Sequence, residues 1–436
     1  MLQRSVRDIL KSRNGRLRES LTISDGMGER TSTCALDDFM FRHHLALTMG
    51  AVGQGRLGRS NSGKDVLVIE PSVLSGSLKL PPSKSHAMRW LTLASMDNNP
   101  TKISMWEIGH DVQAMIDCLV KLGIEWNQGE MTGGVLSKTH DVLDCVNSGT
   151  ALRFLIAQAS NCDFKVTLDG DASLRARSSL HLTKSLGVSI KRTDDNNEYP
   201  IQLHGPFNRE LVEIDVSKTS QFHSALMLMA PRTNGFSLVT KGDAVSRSHS
   251  ALTWDLCQLT GAKEPGIPWD VDCPDVNIPP DASMMAFAKL AGLDVINEPD
   301  WSESIGHSLE NNVLRDSNDL ITPMAAWLSM SGGGIISGAA HAAHKESNRI
   351  TRTVEMLSQF GISSSTTEDG IIVEGGQVPQ KPDDIVSTFG DHRIQMTAVI
   401  LASICGGIVE GPSLHEVAWP SFIEQLQRCG LSINSN

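Results

Sequence analysis

No stretch of the chain approaches the ~18 consecutive apolar residues of a membrane-spanning helix, and its start lacks the apolar block and small-residue cleavage site of a secretory signal. A soluble, cytoplasmic protein is expected. Cys-x-x-Cys pairs are also missing. The eight cysteines, at 34, 118, 145, 162, 257, 273, 405 and 429, lie scattered, which argues against a zinc or disulfide framework and for buried free thiols in a reducing compartment. There is no basic excess either. With a formal net charge of -12, a nucleic-acid or acidic-membrane partner is disfavoured, because phosphate surfaces demand a broad basic face. An anionic ligand must then be met by a local cluster of cations. What is present, 40% hydrophobic and 20% charged residues over 436 positions, describes an ordinary globular chain too long for one core.

Residues 1–65 differ in texture from the rest. Arg4, Arg7, Arg13, Arg16 and Arg18 are followed by a Gly/Ser/Arg stretch at 50–64, and interspersed acids such as Asp8, Glu19 and Asp25 argue against an organelle transit peptide. The segment reads as an extension or linker of unknown role. Gly53, Gly55 and Gly58 have the spacing of a dinucleotide fingerprint, and Gly58 to Gly63-Lys64 that of a phosphate-binding loop, but Asp65 stands where Ser or Thr is required. Both motifs need a strand before and a helix after, and here the strand-like Val66-Leu67-Val68-Ile69 follows instead.

Beyond residue 66 a pattern recurs: an amphipathic helical segment, then glycine, then a β-like run. It closes at Gly123, Gly187, Gly261, Gly292, Gly361 and Gly430, and glycine is the expected residue just past a helix end. Units of roughly 65 residues are longer than solenoid repeats and have room for several strands and helices. A repeated α/β module in roughly six copies is expected.

Several short constellations carry chemistry. Pro82-Ser83-Lys84-Ser85 with Arg89 sets an ammonium, hydroxyls and a guanidinium around a helix start, whose unpaired N–H groups also favour an anion; Ser83 or Ser85 can cap. Asn147-Ser148-Gly149-Thr150 precedes an apolar helical run, with Thr150 as a cap, Gly149 allowing close approach and Arg153 one turn in. Alternation places Arg175 and Arg177 on one face of an extended segment. Thr219-Ser220-Gln221 offers hydroxyls and an amide to a polyhydroxylated ligand. Lys345 and Arg349, at i and i+4 beside Glu346, share a helical face, and Asp391-His392-Arg393 opens a helix predicted over 394–404. A metal reading of His341, His344 and His392 finds no zinc-type spacing.

In order and approximate spacing these motifs resemble the 5-enolpyruvylshikimate-3-phosphate synthases, the enolpyruvyl transferases of the shikimate pathway, over about residues 66–430. The resemblance implies an α/β fold of two similar domains, each of three βαβαββ repeats with buried helices, an inside-out α/β barrel. Residues 66–82 plus 280–436 would form one lobe and 83–279 the other, with the active site in the cleft between them. It implies transfer of the enolpyruvyl group of phosphoenolpyruvate to the 5-hydroxyl of shikimate 3-phosphate, with phosphate released through a tetrahedral ketal phosphate. Lys84, Ser85, Arg89, Thr219, Ser220, Gln221, Ser246, Asp319 and Lys345 would hold shikimate 3-phosphate. Lys84, Asn147, Gly149, Arg153, Arg177, Gln221, Arg349 and Arg393 would hold phosphoenolpyruvate. Asp319 is the expected base for the 5-hydroxyl, and Glu346 and Lys84 are the expected groups for proton delivery and phosphate departure. No metal or redox cofactor, no nucleic acid, no membrane and a monomeric state are expected.

This sequence departs from the family pattern at several points. His249 stands where tyrosine is expected after Ser246-Arg247-Ser248, Ala343 where an arginine is common, Ser178 where proline is usual and Val417 where some members carry lysine. Two rival functions are weighed. A UDP-N-acetylglucosamine enolpyruvyl transferase would carry Lys-Asn in place of Lys84-Ser85 and a reactive loop cysteine. A non-catalytic binder of phosphorylated metabolites would have no use for Asp319 and Glu346 among phosphate-binding cations.

Overall fold

The computed structural model describes residues 18–24, 29–35, 58–59, 65–191, 199–299, 307 and 311–434. Most of the dinucleotide-like and phosphate-loop-like stretches lie outside them. Residues 1–58 with 434–436 form one compact unit and 59–433 another. Within the first, Arg18–Ser24 pairs antiparallel with Glu29–Ala35, Leu21 facing Ser32 and Ile23 facing Arg30. This hairpin was not expected of a linker; its β-branched residues, Thr22, Ile23, Thr31 and Thr33, favour strand.

The second unit is α/β and carries two hydrophobic cores. One is drawn from residues 87–278, the other from 67–80 and 284–431. In the first core, Lys165–Asp169 lies between Ile201–His204, antiparallel, and Val142–Asp144, parallel. Its alternation buries Val166 and Leu168, as a sheet with one packed face requires. Strands Leu211–Asp215 and Ser237–Lys241 pair in parallel. In the second core, Asp65–Glu70 is the central strand between Gly407–Glu410 and Ser432–Asn434.

The helices that position the site are α1 (Lys84–Ala94), α2 (His110–Lys121), α3 (Gly149–Ala159), α4 (Gln221–Met229), α5 (Arg247–Leu259), α6 (Met285–Ala291), α7 (Ile321–Met330), α8 (Arg349–Gln359) and α9 (His392–Cys405). Helices α3 and α9 are almost wholly buried. Both are predominantly apolar, the composition of a helix enclosed by other elements, and each fully buried Leu, Ile or Phe in them contributes about 1.5–3 kcal/mol. The six glycines of the recurring pattern all have positive φ. Gly292 needs it most plainly, standing at the left-handed end of α6 with φ +66°, where any other L residue is strained.

Candidate functional site

Helix α1 begins where the chain passes from one core to the other. Ser83 caps it, accepting from the His86 N–H at 3.4 Å, so the cap is Ser83 and Pro82 sits outside the helix. Lys84 is the first helical residue, and its Nζ donates to Asp111 Oδ2 of α2 at 2.8 Å. Burial opposes its charge, but Asp111 and Glu346 outweigh burial and hold the lysine above its ordinary value. Arg89, one turn on, is buried and makes only neutral bonds: Nε to Thr253 Oγ1 at 2.7 Å, Nη1 to the Ser85 carbonyl at 2.7 Å, Nη2 to the His249 carbonyl at 3.0 Å and Ser224 Oγ at 3.3 Å. Burial brings it down to about 9. A guanidinium desolvated without a carboxylate among its partners is set to meet an anion.

The Asn147–Thr150 turn builds a second cationic surface. Ser148, not Thr150, caps α3, accepting from the Ala151 N–H at 3.3 Å. Thr150 instead accepts from Gln221 Nε2 at 3.1 Å, and Gln221 Oε1 accepts from Arg153 Nη1 at 2.8 Å. Arg177 Nη2 donates to the Asn147 carbonyl at 2.5 Å and to its Oδ1 at 2.6 Å. Both guanidiniums close over Gly149: a Cβ there would lie 2.2 Å from Arg153 Nη1 and 3.2 Å from Arg177 Nη1. The extended segment expected around Arg175 and Arg177 is instead a short helix, Ala172–Arg175, because Asp171 caps it. Arg177 therefore turns inward, while Arg175 is 49% exposed and pairs with Asp169.

The third cluster belongs to the second core. Lys345 and Arg349 do not share a helical face: the turn Ala340–His344 ends at Lys345, whose backbone is extended, and α8 starts only at Arg349 after the Asn348 cap. Arg349 is 1% exposed and grips three carboxylates: Asp319 Oδ1 at 2.6 Å, Glu346 Oε2 at 2.5 Å and Asp391 Oδ2 at 2.8 Å. Helix α9 starts at His392, earlier than expected, since Asp391 caps it by accepting from the Arg393 N–H at 3.0 Å. Arg393 reaches the Asp319 carbonyl at 3.0 Å and Ser283 Oγ at 2.8 Å.

These cations dominate the electrostatics. Burial penalises Asp319, yet Arg393, Lys345 and Arg349 hold it well below the usual carboxylate range. Glu346 is likewise held low against its burial, by Arg349 and Arg177, the latter 3.8 Å away. As placed, neither carboxylate has a proton to give. Lys345 is lowered, chiefly by burial.

Contacts therefore join Asn147, Arg177, Glu346, Arg349, Asp319 and Arg393 into one network, with Arg153, Gln221 and Gly149 beside it. A small cavity of about 20 Å³ is lined in part by Lys84, Ser85, His307, Asp319 and Arg393. Thr219 and Ser220 stand at the start of α4, where Thr219 Oγ1 accepts from the Gln221 N–H at 3.2 Å. Ser246 begins α5 with a left-handed φ of +48°, and Asn318 Nδ2 bridges its Oγ (3.3 Å) and His341 Nε2 (2.7 Å). Sequence reasoning missed Asp111, Asn318 and His307, which carry no local motif; it weighed His341 only as a metal ligand and passed over Asp391 as a partner of Arg349. Val417 packs its carbonyl against Gly109. Among the described residues, no group of three or more His, Cys, Asp or Glu is placed to hold a metal ion.

Four buried imidazoles around this region predict acid lability. Burial is the leading cause that takes His86, His341 and His415 down to about 4 and His392 to about 3. The unfolded chain binds these protons near the ordinary 6.5, so between that value and about 4 the unfolded state holds more protons and stability falls as pH drops. From pH 7 to 5 the expected loss is on the order of 1–2 kcal/mol per histidine, read from urea midpoints. Identical midpoints at the two pH values would refute it.

The family model described as EPSP synthase (3-phosphoshikimate 1-carboxyvinyltransferase) matches residues 68–264 and 268–426. A 3-phosphoshikimate 1-carboxyvinyltransferase of Methanothermobacter thermautotrophicus is 27% identical over 420 residues, covering 85% of this chain and 99% of the relative. One from Geobacillus thermodenitrificans is 28% identical over 422 residues, covering 82% and 96%. The solved structure of the EPSP synthase of Acinetobacter baumannii superposes with a TM-score of 0.65 at 20% identity, over 85% of this chain and 98% of that one.

Proposed function

Because the chain belongs to the EPSP synthase (3-phosphoshikimate 1-carboxyvinyltransferase) family, we propose that it transfers the enolpyruvyl group of phosphoenolpyruvate to the 5-hydroxyl of shikimate 3-phosphate. The observation that carries this reading is the closure of Arg153 and Arg177 over Gly149, beside the Arg349 network. That arrangement suits a phosphate and a carboxylate on one small substrate, while Arg89, free of carboxylate partners in its hydrogen bonds, suits the second anionic substrate.

In the reaction the 5-oxygen attacks C2 of phosphoenolpyruvate while a proton adds to C3, giving a ketal phosphate. Loss of phosphate and of a C3 proton then restores the double bond in the product. Arg153, Arg177, Arg349 and Arg393 would bind and charge-stabilise the phosphoenolpyruvate unit. Asp319 takes the 5-hydroxyl proton once an incoming anion draws Arg349 away from it, since a carboxylate held so low is a weak base. With Glu346 held ionised, the ammonium groups of Lys84 and Lys345 are the proton sources of the set.

The separate cores support two lobes, 66–82 with 280–436 and 83–279, with the site at their junction. Three βαβαββ repeats in each lobe belong to the same proposal. A cytoplasmic, monomeric enzyme stays the expectation of this reading; no helix among the described residues is long and apolar enough to cross a membrane, and the seven cysteines from Cys118 to Cys429 are free. The test is phosphate release from phosphoenolpyruvate with shikimate 3-phosphate, UDP-N-acetylglucosamine or no acceptor. Release only with shikimate 3-phosphate is expected. Folded protein that binds the substrates without releasing phosphate would overturn the catalytic reading.

A further inference from the structure

We propose that His249 and His307 form a proton-linked recognition pair in the shikimate 3-phosphate half of the site, His249 taking up a proton as the anionic substrate binds. The proposal rests on the functional reading above. His249 lies in the first turn of α5, and its carbonyl accepts from Arg89 Nη2 at 3.0 Å. Its ring meets that of His307 edge to face, centroids 5.9 Å apart and planes at 82°. His307, 3% exposed, lines the small cavity with Lys84, Ser85, Asp319 and Arg393. His249 Nδ1 is shut off from solvent and has no hydrogen-bond partner, an arrangement that costs about 1–3 kcal/mol unless a ligand meets it.

The charged groups facing His249 come from every element around it. Arg89 of α1, His307 and Lys345 oppose a proton there and Asp319 favours one, so that with burial leading, the ring stays neutral. Two of those opponents, Arg89 and Lys345, are cations that an anionic substrate would neutralise. Once they are paired, the substrate's own negative charge adds an attraction and the imidazole's proton affinity rises. The one new bond is N–H: a proton from solvent adds to Nδ1, which then donates to a substrate oxygen, and no other bond forms or breaks. A tyrosine at this position, with a phenol near pKa ~10, could not couple binding to pH in the neutral range.

The test is calorimetric titration of shikimate 3-phosphate into the full-length protein at pH 6.5, in buffers of different ionisation enthalpy, which counts protons taken up. Wild type is compared with H249Y, H249Q and H307Q, each checked for a cooperative melt. The free substrate's phosphate titrates in the same range but identically in all four experiments, so differences in uptake arise from the substituted histidines. Uptake is expected to be larger in wild type than in H249Y and H249Q. The affinity of wild type relative to H249Y should then rise by up to about tenfold per pH unit between pH 7.5 and 6. H307Q should shift the pH at which uptake is half-maximal. Equal uptake in wild type and both His249 variants would overturn the proposal, and an unmoved midpoint in H307Q would overturn the pair. Absence of any shikimate 3-phosphate binding to folded wild type would instead overturn the functional reading on which it rests.

Discussion

Replacing Arg349 by alanine is expected to abolish measurable turnover and to destabilise the fold by about 3–5 kcal/mol, the loss typical of a buried ion pair broken on one side. The size follows from the partners. One guanidinium, 1% exposed, holds Asp319, Glu346 and Asp391 at 2.6, 2.5 and 2.8 Å. Without it three carboxylates crowd a desolvated space with Arg393, Lys345 and Arg177 as remaining counter-charges. Asp391 would still cap α9 and accept from Ser347 Oγ at 3.0 Å, so local collapse of that helix is not the mechanism. Charge repulsion is, and it has a signature. In wild type the depressed carboxylates Asp319 and Glu346 contribute stability that is complete above their unfolded values near 4 and is lost only in stronger acid. In R349A those same groups protonate more easily, so the deficit relative to wild type should shrink as pH falls from 7 to 5. R349K, which keeps a charge but not the three-way fork, should fall between. Chemical denaturation at the two pH values measures this, and a deficit under 1 kcal/mol at pH 7 would remove Arg349 from the centre of the network.

Gly149→Ala separates activity from stability in the opposite way. The added methyl would lie 2.2 Å from Arg153 Nη1, an impossible contact unless the guanidinium moves, and the end of an arginine moves cheaply. Stability should change by less than about 1 kcal/mol, within the range of ordinary substitutions. The displaced Arg153 would lose its 2.8 Å bond to Gln221 and its aim at the bound anion. Losing one preorganised donor of this kind costs about 10²–10³ in rate, so kcat/KM for phosphoenolpyruvate should fall by that factor while the KM for shikimate 3-phosphate changes little. Steady-state kinetics with each substrate varied in turn decides it. Unchanged kcat/KM for phosphoenolpyruvate would mean that Arg153 and Arg177 close over Gly149 for packing alone.

Most of the candidate site groups were legible in sequence because they sit in short motifs beside a helix start, and a helix start is itself a local signal; Asp319 came only from the family resemblance. Ser83, Ser148 and Asp391 cap α1, α3 and α9, and the cations follow within a turn or two. What escaped was partnership across distance. Asp391 and Asp319 reach Arg349 from 42 and 30 residues away, and no spacing rule joins them. Lys345 and Arg349 were placed on a common helix because i and i+4 ordinarily share a face, but the Asn348 cap begins α8 too late for Lys345 to join it. Arg177 misled for a similar reason, an Asp171 cap outweighing the alternation. His307 stood alone, without periodicity or motif, and is marked by its ring contact with His249 and its place in the small cavity.

The interrupted second core has a consequence for how the chain comes to be folded during its synthesis. Residues 87–278 close a core by themselves, so they can bury their apolar surface as soon as they emerge, in the usual N-terminal-first order. The strand Asp65–Glu70 emerges earlier still, yet its flanking partners are Gly407–Glu410 and Ser432–Asn434. Most of its two edges must therefore wait unpaired until the chain is almost finished, the interval in which an exposed hydrophobic strand is most open to mispairing. A ribosome stalled after residue 278 has emerged but before residue 407 has would hold a finished first core tethered to a strand still lacking both flanking partners, which makes that strand the natural point of engagement for a chaperone.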